Sequence, residues 1–188
     1  WEKGFYLYEK GKFTQYKLED GLSFHTAMSF SEDSKGDIWL STFKGVTKIS
    51  TVNGKLEFSI LHHPILDSVA VFRAVDDHKS KLYFATGGRG IVTYDYKTKQ
   101  FSNITTKNGL PGNVIYNLKR DTEGNIWISC WGYGLTKYSG SRFIHYTKED
   151  GLLQNSVHCF LQQEDGSILV GTGNGMNQIK NNVITPFI

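Results

Sequence analysis

Apolar and β-branched residues come in short runs along this chain, each bounded by Gly, Asp, Asn or Ser, and no segment sustains a 3.6-residue period. Runs such as Thr26–Phe30, Val69–Val75, Val114–Leu118 and Ser156–Leu161 have the length and composition of strands. A second type of run follows a four-residue turn. It reads Asp33-Ser34-Lys35-Gly36 before Ile38-Trp39-Leu40, and Asp121-Thr122-Glu123-Gly124 before Ile126-Trp127-Ile128. Weaker copies are Asp77–Ser80 before Leu82-Tyr83-Phe84, and Gln163–Gly166 before Ile168-Leu169-Val170. A tight turn ahead of β-branched and aromatic residues is the pattern of a β-hairpin.

These runs recur at a fixed interval. A glycine followed by an apolar residue, with a second apolar or aromatic residue four positions after the glycine, opens a third strand type. It occurs at Gly4, Gly45, Gly90, Gly134 and Gly175, with spacings of 41, 45, 44 and 41 residues. A fourth type, Phe13–Tyr16, Phe101–Ile104 and Phe143–Tyr146, leads into the turns Asp20-Gly21-Leu22, Asn108-Gly109-Leu110 and Asp150-Gly151-Leu152. Gly accepts positive φ there, and the Asx side chain can bond nearby backbone. Four antiparallel strands in about 43 residues make one blade of a β-propeller. The expected fold is therefore all-β, with about four and a half four-stranded blades. Residues 1–20 supply the outer half of one blade, and 21–61, 62–107, 108–149 and 150–188 are successive blades. Trp39, Tyr83, Trp127 and Leu169 share one repeat position and are expected to pack between blades.

The string Asp-Gly-Leu-Pro…Asp-x-x-Gly-x-Ile-Trp-Ile-x-Thr…Gly-Leu-x-x-Tyr resembles the two-component regulator propeller repeat. Residues 108–138 carry it most fully, with Cys130 in place of Thr. Residues 20–50 and 150–179 are good copies, while in 61–94 Pro64-Ile65-Leu66-Asp67 replaces the Asp-Gly-Leu turn. The resemblance implies the periplasmic sensor propeller of a membrane-anchored hybrid histidine kinase. Such a propeller is larger, about seven blades, so the chain is expected to be a contiguous part of one. Trp1 opens the chain in mid-motif, with no initiator Met, signal peptide or targeting motif. The kinase would lie elsewhere in the parent protein.

Composition narrows the alternatives. Hydrophobic residues make up 39%, aromatics 14% and charged residues 21%, enough apolar material for a core. The net charge of +3 comes from dispersed Lys and Arg, without the basic run of a nucleic-acid surface. No apolar stretch reaches membrane-spanning length. Cys130 and Cys159 are read as small buried thiols rather than a disulfide, and Asn103-Ile104-Thr105 as a chance glycosylation sequon.

Catalytic chemistry has no motif here. The six histidines (25, 62, 63, 78, 145 and 158) occupy different repeat positions. No His-Glu-x-x-His motif, phosphate loop or nucleophile elbow occurs. No catalytic residue, metal site or cofactor is expected. Function is assigned to loops, which vary without disturbing blade packing. Two turn types open on one face. The first brings His25, Asn113 and Asn155; the second brings Phe43 and Lys44, then Arg89, then Trp131 and Tyr133, then Asn174. Rings for stacking and polar groups for hydroxyls suit a sugar. The expected role is a non-enzymatic sensor of a carbohydrate-derived ligand, with Trp131 and Tyr133 stacking and Arg89 donating hydrogen bonds. Two other readings stand beside it: a protein-interaction or dimerisation scaffold, and a metal-assisted enzyme similar to streptogramin lyases. The Glu residues that such an enzyme needs are absent from these turns. The remaining expected partners are the other blades of the parent receptor and a second copy of the chain. Self-association would cover the free edge of Phe5–Tyr8 and Phe13–Tyr16 and an uncovered final-blade face formed by Val157, Phe160, Ile168 and Val170.

Overall fold

A computed structural model describes residues 4–187. Eighteen strands form five antiparallel sheets among the described residues. The first sheet has two strands, β1 (Phe5–Glu9) and β2 (Lys12–Tyr16). Four four-stranded meanders follow in chain order. They are β3 (Ala27–Glu32), β4 (Ile38–Thr42), β5 (Val46–Val52) and β6 (Lys55–Ile60); then β7 (Val71–Asp76), β8 (Lys81–Thr86), β9 (Ile91–Asp95) and β10 (Phe101–Ile104). The last two are β11 (Ile115–Arg120), β12 (Ile126–Cys130), β13 (Leu135–Tyr138) and β14 (Phe143–Tyr146); then β15 (Val157–Gln162), β16 (Ile168–Thr172), β17 (Gly175–Lys180) and β18 (Val183–Pro186). First strands of successive sheets approach one another, β3 against β7 and β7 against β11, so the sheets stand as propeller blades around their inner strands.

Each blade buries one layer of apolar side chains against the next. Trp39 packs with Leu66, Val71, Ala74 and Phe84 of the following sheet; Tyr83 with Ile115, Leu118 and Ile128; Trp127 with Val157, Phe160 and Val170. In the last blade Leu169 is half-buried and lies outside these layers, whereas the expected inter-blade role holds at Trp39, Tyr83 and Trp127. Two of them carry a polar handle as well. Trp39 Nε1 donates to Asp33 Oδ2 at 2.8 Å, and Trp127 Nε1 to Asp121 Oδ2 at 2.9 Å. The other carboxylate oxygen accepts turn N–H groups, from Lys35 and Asp37 in one blade and from Glu123 and Asn125 in the other. One Asp thus closes the hairpin and anchors the indole.

The Asp/Asn-Gly turns fold as single 3-10 turns, at Leu18–Asp20, Thr106–Asn108 and Lys148–Asp150. The Asx side chain accepts the backbone N–H three residues earlier at 2.7–2.9 Å. Gly21, Gly109 and Gly151 then take φ of 105–113°, and the following Leu22, Leu110 and Leu152 are buried. The blade without this motif uses a 3-10 turn at Leu66–Ser68, where Leu66 itself is fully buried.

Two expectations are corrected. Val157, Phe160, Ile168 and Val170 do not lie on an uncovered face; all four are buried against Trp127, Leu135 and Tyr146 of the preceding blade. A bulge between Val157 and Cys159 puts Cys159 and Leu161 on the outward side of this strand, and Met176 and Val183 of the two outer strands are exposed as well. Cys159 is accordingly exposed, while Cys130 is buried; both are free thiols. Trp1 lies outside the described residues.

Candidate functional site

The turns between the second and third strands differ in length, and that decides which side chains reach solvent. In the first blade, Thr42 Oγ donates to the carbonyl of Gly45 at 3.0 Å; Thr86 and Thr172 do the same to Gly90 and Gly175, at 2.6 and 3.0 Å. Cys130 cannot copy this bond; its Sγ lies 3.7 Å from the carbonyl of Gly112 instead. Burial raises the Cys130 thiol to about 12, so it is not a nucleophile at neutral pH. The turn after Cys130 holds Trp131, Gly132 and Tyr133, with Gly132 at φ 75°. Trp131 is 59% exposed and Tyr133 52% exposed.

Trp131 does not stand alone. Its ring lies 5.1 Å from that of Tyr116, and Tyr116 stacks on Phe72 at 5.2 Å with planes 27° apart. Three rings from two blades thereby form a continuous, partly exposed strip. Tyr133 lies beside it with its ring against Gly112, where an added Cβ would sit 2.9 Å from the ring. A second group forms on the first full blade. The rings of Phe24 and His25 lie 3.9 Å apart, and Lys44 Nζ is 5.5 Å from the Phe24 centroid. Phe43, Lys44, Arg89 and Asn174 are exposed.

Asn113 and Asn155 are half-buried, and their side chains are engaged in the turns. Asn113 Oδ1 accepts the N–H of Thr106 at 3.0 Å, and Asn155 Oδ1 that of Lys148 at 2.6 Å. Their backbone carbonyls accept Gly90 and Gly134 N–H. They hold the rim in shape.

Phe72 and Tyr116 were outside the sequence-derived set. Each sits at a bulge on the inner strand, between Val71 and Arg73 and between Ile115 and Asn117, and Met28 and His158 occupy the same position in the flanking blades. A bulge adds one residue and redirects its side chain. The signal available in the sequence was a repeat column of large residues, each directly after Ala27, Val71, Ile115 or Val157.

The histidines scatter. His62 pairs with Asp67 at 3.4 Å, His63 stacks on Phe101, and His145 bonds Thr136 at 3.0 Å. Among the described residues, no three His, Cys, Asp or Glu side chains converge to hold a metal ion. No helix among them is long and apolar enough to cross a membrane.

Comparison with known proteins agrees with this geometry. The extracellular domain of the putative hybrid two component system BT3049 from B. thetaiotaomicron superposes with a TM-score of 0.76 at 18% identity, covering 93% of this chain and 26% of that one. The extracellular domain of BT4673 from the same organism gives 0.76 at 20% identity, covering 96% and 27%. Virginiamycin B lyase from Staphylococcus aureus gives 0.70 at 13% identity, covering 94% and 59%. The chain spans about a quarter of the length of the two extracellular domains. No curated protein sequence matches it. Residues 109–132 match the two-component regulator propeller family. The chain is therefore a run of β-propeller blades, one of which matches the two-component regulator propeller repeat over residues 109–132.

Proposed function

We propose that these blades form the ligand-sensing, non-catalytic propeller of a two-component receptor, on the periplasmic side of a membrane-anchored protein that signals through a histidine kinase. The ligand class is a carbohydrate or a carbohydrate-derived molecule. The observation that carries this reading is the exposed ring strip Phe72–Tyr116–Trp131, set on rigid inner strands and one tight turn. Apolar faces of pyranose rings stack on such strips, while exposed donors such as Arg89, Lys44 and Asn174 stand on the same set of turns for hydroxyl recognition. The virginiamycin B lyase likeness extends to the fold, and a shared fold does not carry an activity across. A calorimetric screen of the chain against a panel of neutral and acidic oligosaccharides tests the proposal. Saturable binding by at least one is expected; a panel without any binding overturns it.

A second reading, self-association, is favoured by a separate observation. Tyr6, Tyr8 and Phe13 on the two-stranded sheet are 59–72% exposed, as are Leu161, Met176 and Val183 at 47–61% on the last blade. Isolated two-stranded edges and contiguous apolar faces drive association. Light scattering behind size exclusion is expected to show a concentration-dependent dimer. A monomer at every dilution removes this reading.

A further inference from the structure

At two blade interfaces the last residue of the inner strand closes against the hairpin turn of the preceding blade. Asp76 there accepts the N–H and the hydroxyl of Ser34, both at 2.8 Å. Gln162 does the same work two interfaces on, accepting Thr122 N–H at 2.8 Å and donating to Thr122 Oγ at 3.1 Å. The strand pairings place Arg120 at the equivalent position of the blade between them, opposite Ile126 as Asp76 is opposite Leu82 and Gln162 opposite Ile168. A guanidinium has no acceptor atom, so this interface cannot be closed in the same way. The N–H of His78 turns back to Asp76 Oδ1 instead, and Arg120 Nε is left buried without a partner.

Two further cations line the same cavity as Arg120. Arg73, Lys119 and Arg120 line one cavity of about 250 Å³ between the inner strands, together with His78, Glu32 and Asp76. No ion pair among the described residues involves Arg73, Lys119 or Arg120. The carboxylate of Asp76 is already occupied by Ser34, His78 and Tyr96, which leaves Glu32 as the one carboxylate lining the cavity without a hydrogen-bond or ion-pair partner among the described residues. Lys79 lines a neighbouring pocket together with Gly124 and approaches Arg120 from that side. A Cβ on Gly124 would lie 3.6 Å from Arg120 Nη2 and 3.9 Å from Lys79 Nζ, so two like charges border one small space. Half-buried cations held together with an unpartnered buried N–H are costly unless an acceptor joins them.

We infer that this cavity at the hairpin end of the inner strands binds an oxyanion, held by Arg120 and Arg73 with Lys119 supplying further positive charge. The site lies on different residues from the ring strip and does not depend on it. The anion is either a free inorganic ion or the charged group of an acidic sugar, since carboxylate, sulfate and phosphate present the same acceptor geometry to a guanidinium. Calorimetric titrations of the chain with sodium sulfate, sodium phosphate, glucuronate and glucose, at ionic strength fixed with sodium chloride, test the assignment. Saturable binding of at least one oxyanion is expected, with glucose silent. Sulfate or phosphate binding more tightly than glucuronate identifies a free ion; the reverse order identifies an acidic sugar. Arg120→Gln restores the side chain found at Gln162 and should fold, yet weaken binding about tenfold or more. Arg73→Gln carries the same expectation should Arg120→Gln fail to fold. Trp131→Ala should leave oxyanion binding intact, which separates this site from the proposed ring-strip site. Absence of saturable binding by all three oxyanions, or undiminished binding in both arginine variants, overturns the inference.

Discussion

Trp127→Ala is expected to lower unfolding stability by about 3–5 kcal/mol, the range for truncating a large buried aromatic. The ring is 4% exposed and stacks on Tyr146 at 5.5 Å with planes 18° apart. It fills the boundary between the third and fourth complete blades beside Val157, Phe160 and Val170, so its removal opens a cavity that two rigid sheets cannot collapse. The substitution also takes the indole N–H from Asp121 Oδ2. That oxygen keeps Asn125 Nδ2 at 2.9 Å and the other oxygen keeps the turn N–H groups, so the hairpin itself should survive. Urea denaturation followed by fluorescence and circular dichroism checks this. A loss below about 1 kcal/mol would mean that the blade boundary does not rest on this ring.

Gly134→Ala is expected to cost at least as much, by a different mechanism. Gly134 has φ 77°, and a Cβ there would sit 2.1 Å from the carbonyl oxygen of Tyr146. The clash is with backbone across the β13–β14 pairing, where Leu135 is opposite Tyr146, so relief requires the strands to separate. Gly45→Ala is the control. Its φ is 80°, but the nearest atom to an added Cβ is 3.5 Å away. That variant bears only the left-handed backbone cost, about 1–2 kcal/mol. Comparable losses in the two variants would show that conformation alone, and not close approach, selects Gly134.

The repeat made the fold readable. A fixed interval, four strand types and Asp/Asn-Gly turns leave few arrangements other than blades, and the positions of Trp39, Tyr83 and Trp127 followed from periodicity. Part of what failed depended on parity. A single-residue bulge on each inner strand swaps the two faces of the residues on either side of it, and strand alternation carries no mark of it. That is why Phe72 and Tyr116 are not marked as exposed rings by strand alternation. Val157, Phe160, Ile168 and Val170 do share one face, and the expectation failed there because the preceding blade, not a following one, covers it. The site was partly legible for a related reason. Trp131 and Tyr133 stand out as large rings in a turn, whereas the companion rings of Trp131 come from strands of two blades and meet it only in three dimensions. Asn113 and Asn155 carry a composition that suits a ligand, but their short side chains satisfy the backbone beside them first.

The central claim is that the exposed rings serve binding while their buried counterparts serve the fold. Trp131→Ala, measured for oligosaccharide affinity and thermal unfolding on the same preparation beside Trp127→Ala, tests it most directly. Trp131 is 59% exposed and Trp127 is 4% exposed, in the same blade. The expected result for Trp131→Ala is a loss of affinity of about tenfold or more with stability within about 0.5 kcal/mol of the parent chain. A stability loss near that of Trp127→Ala, or unchanged affinity for a sugar that the parent chain binds, would contradict it.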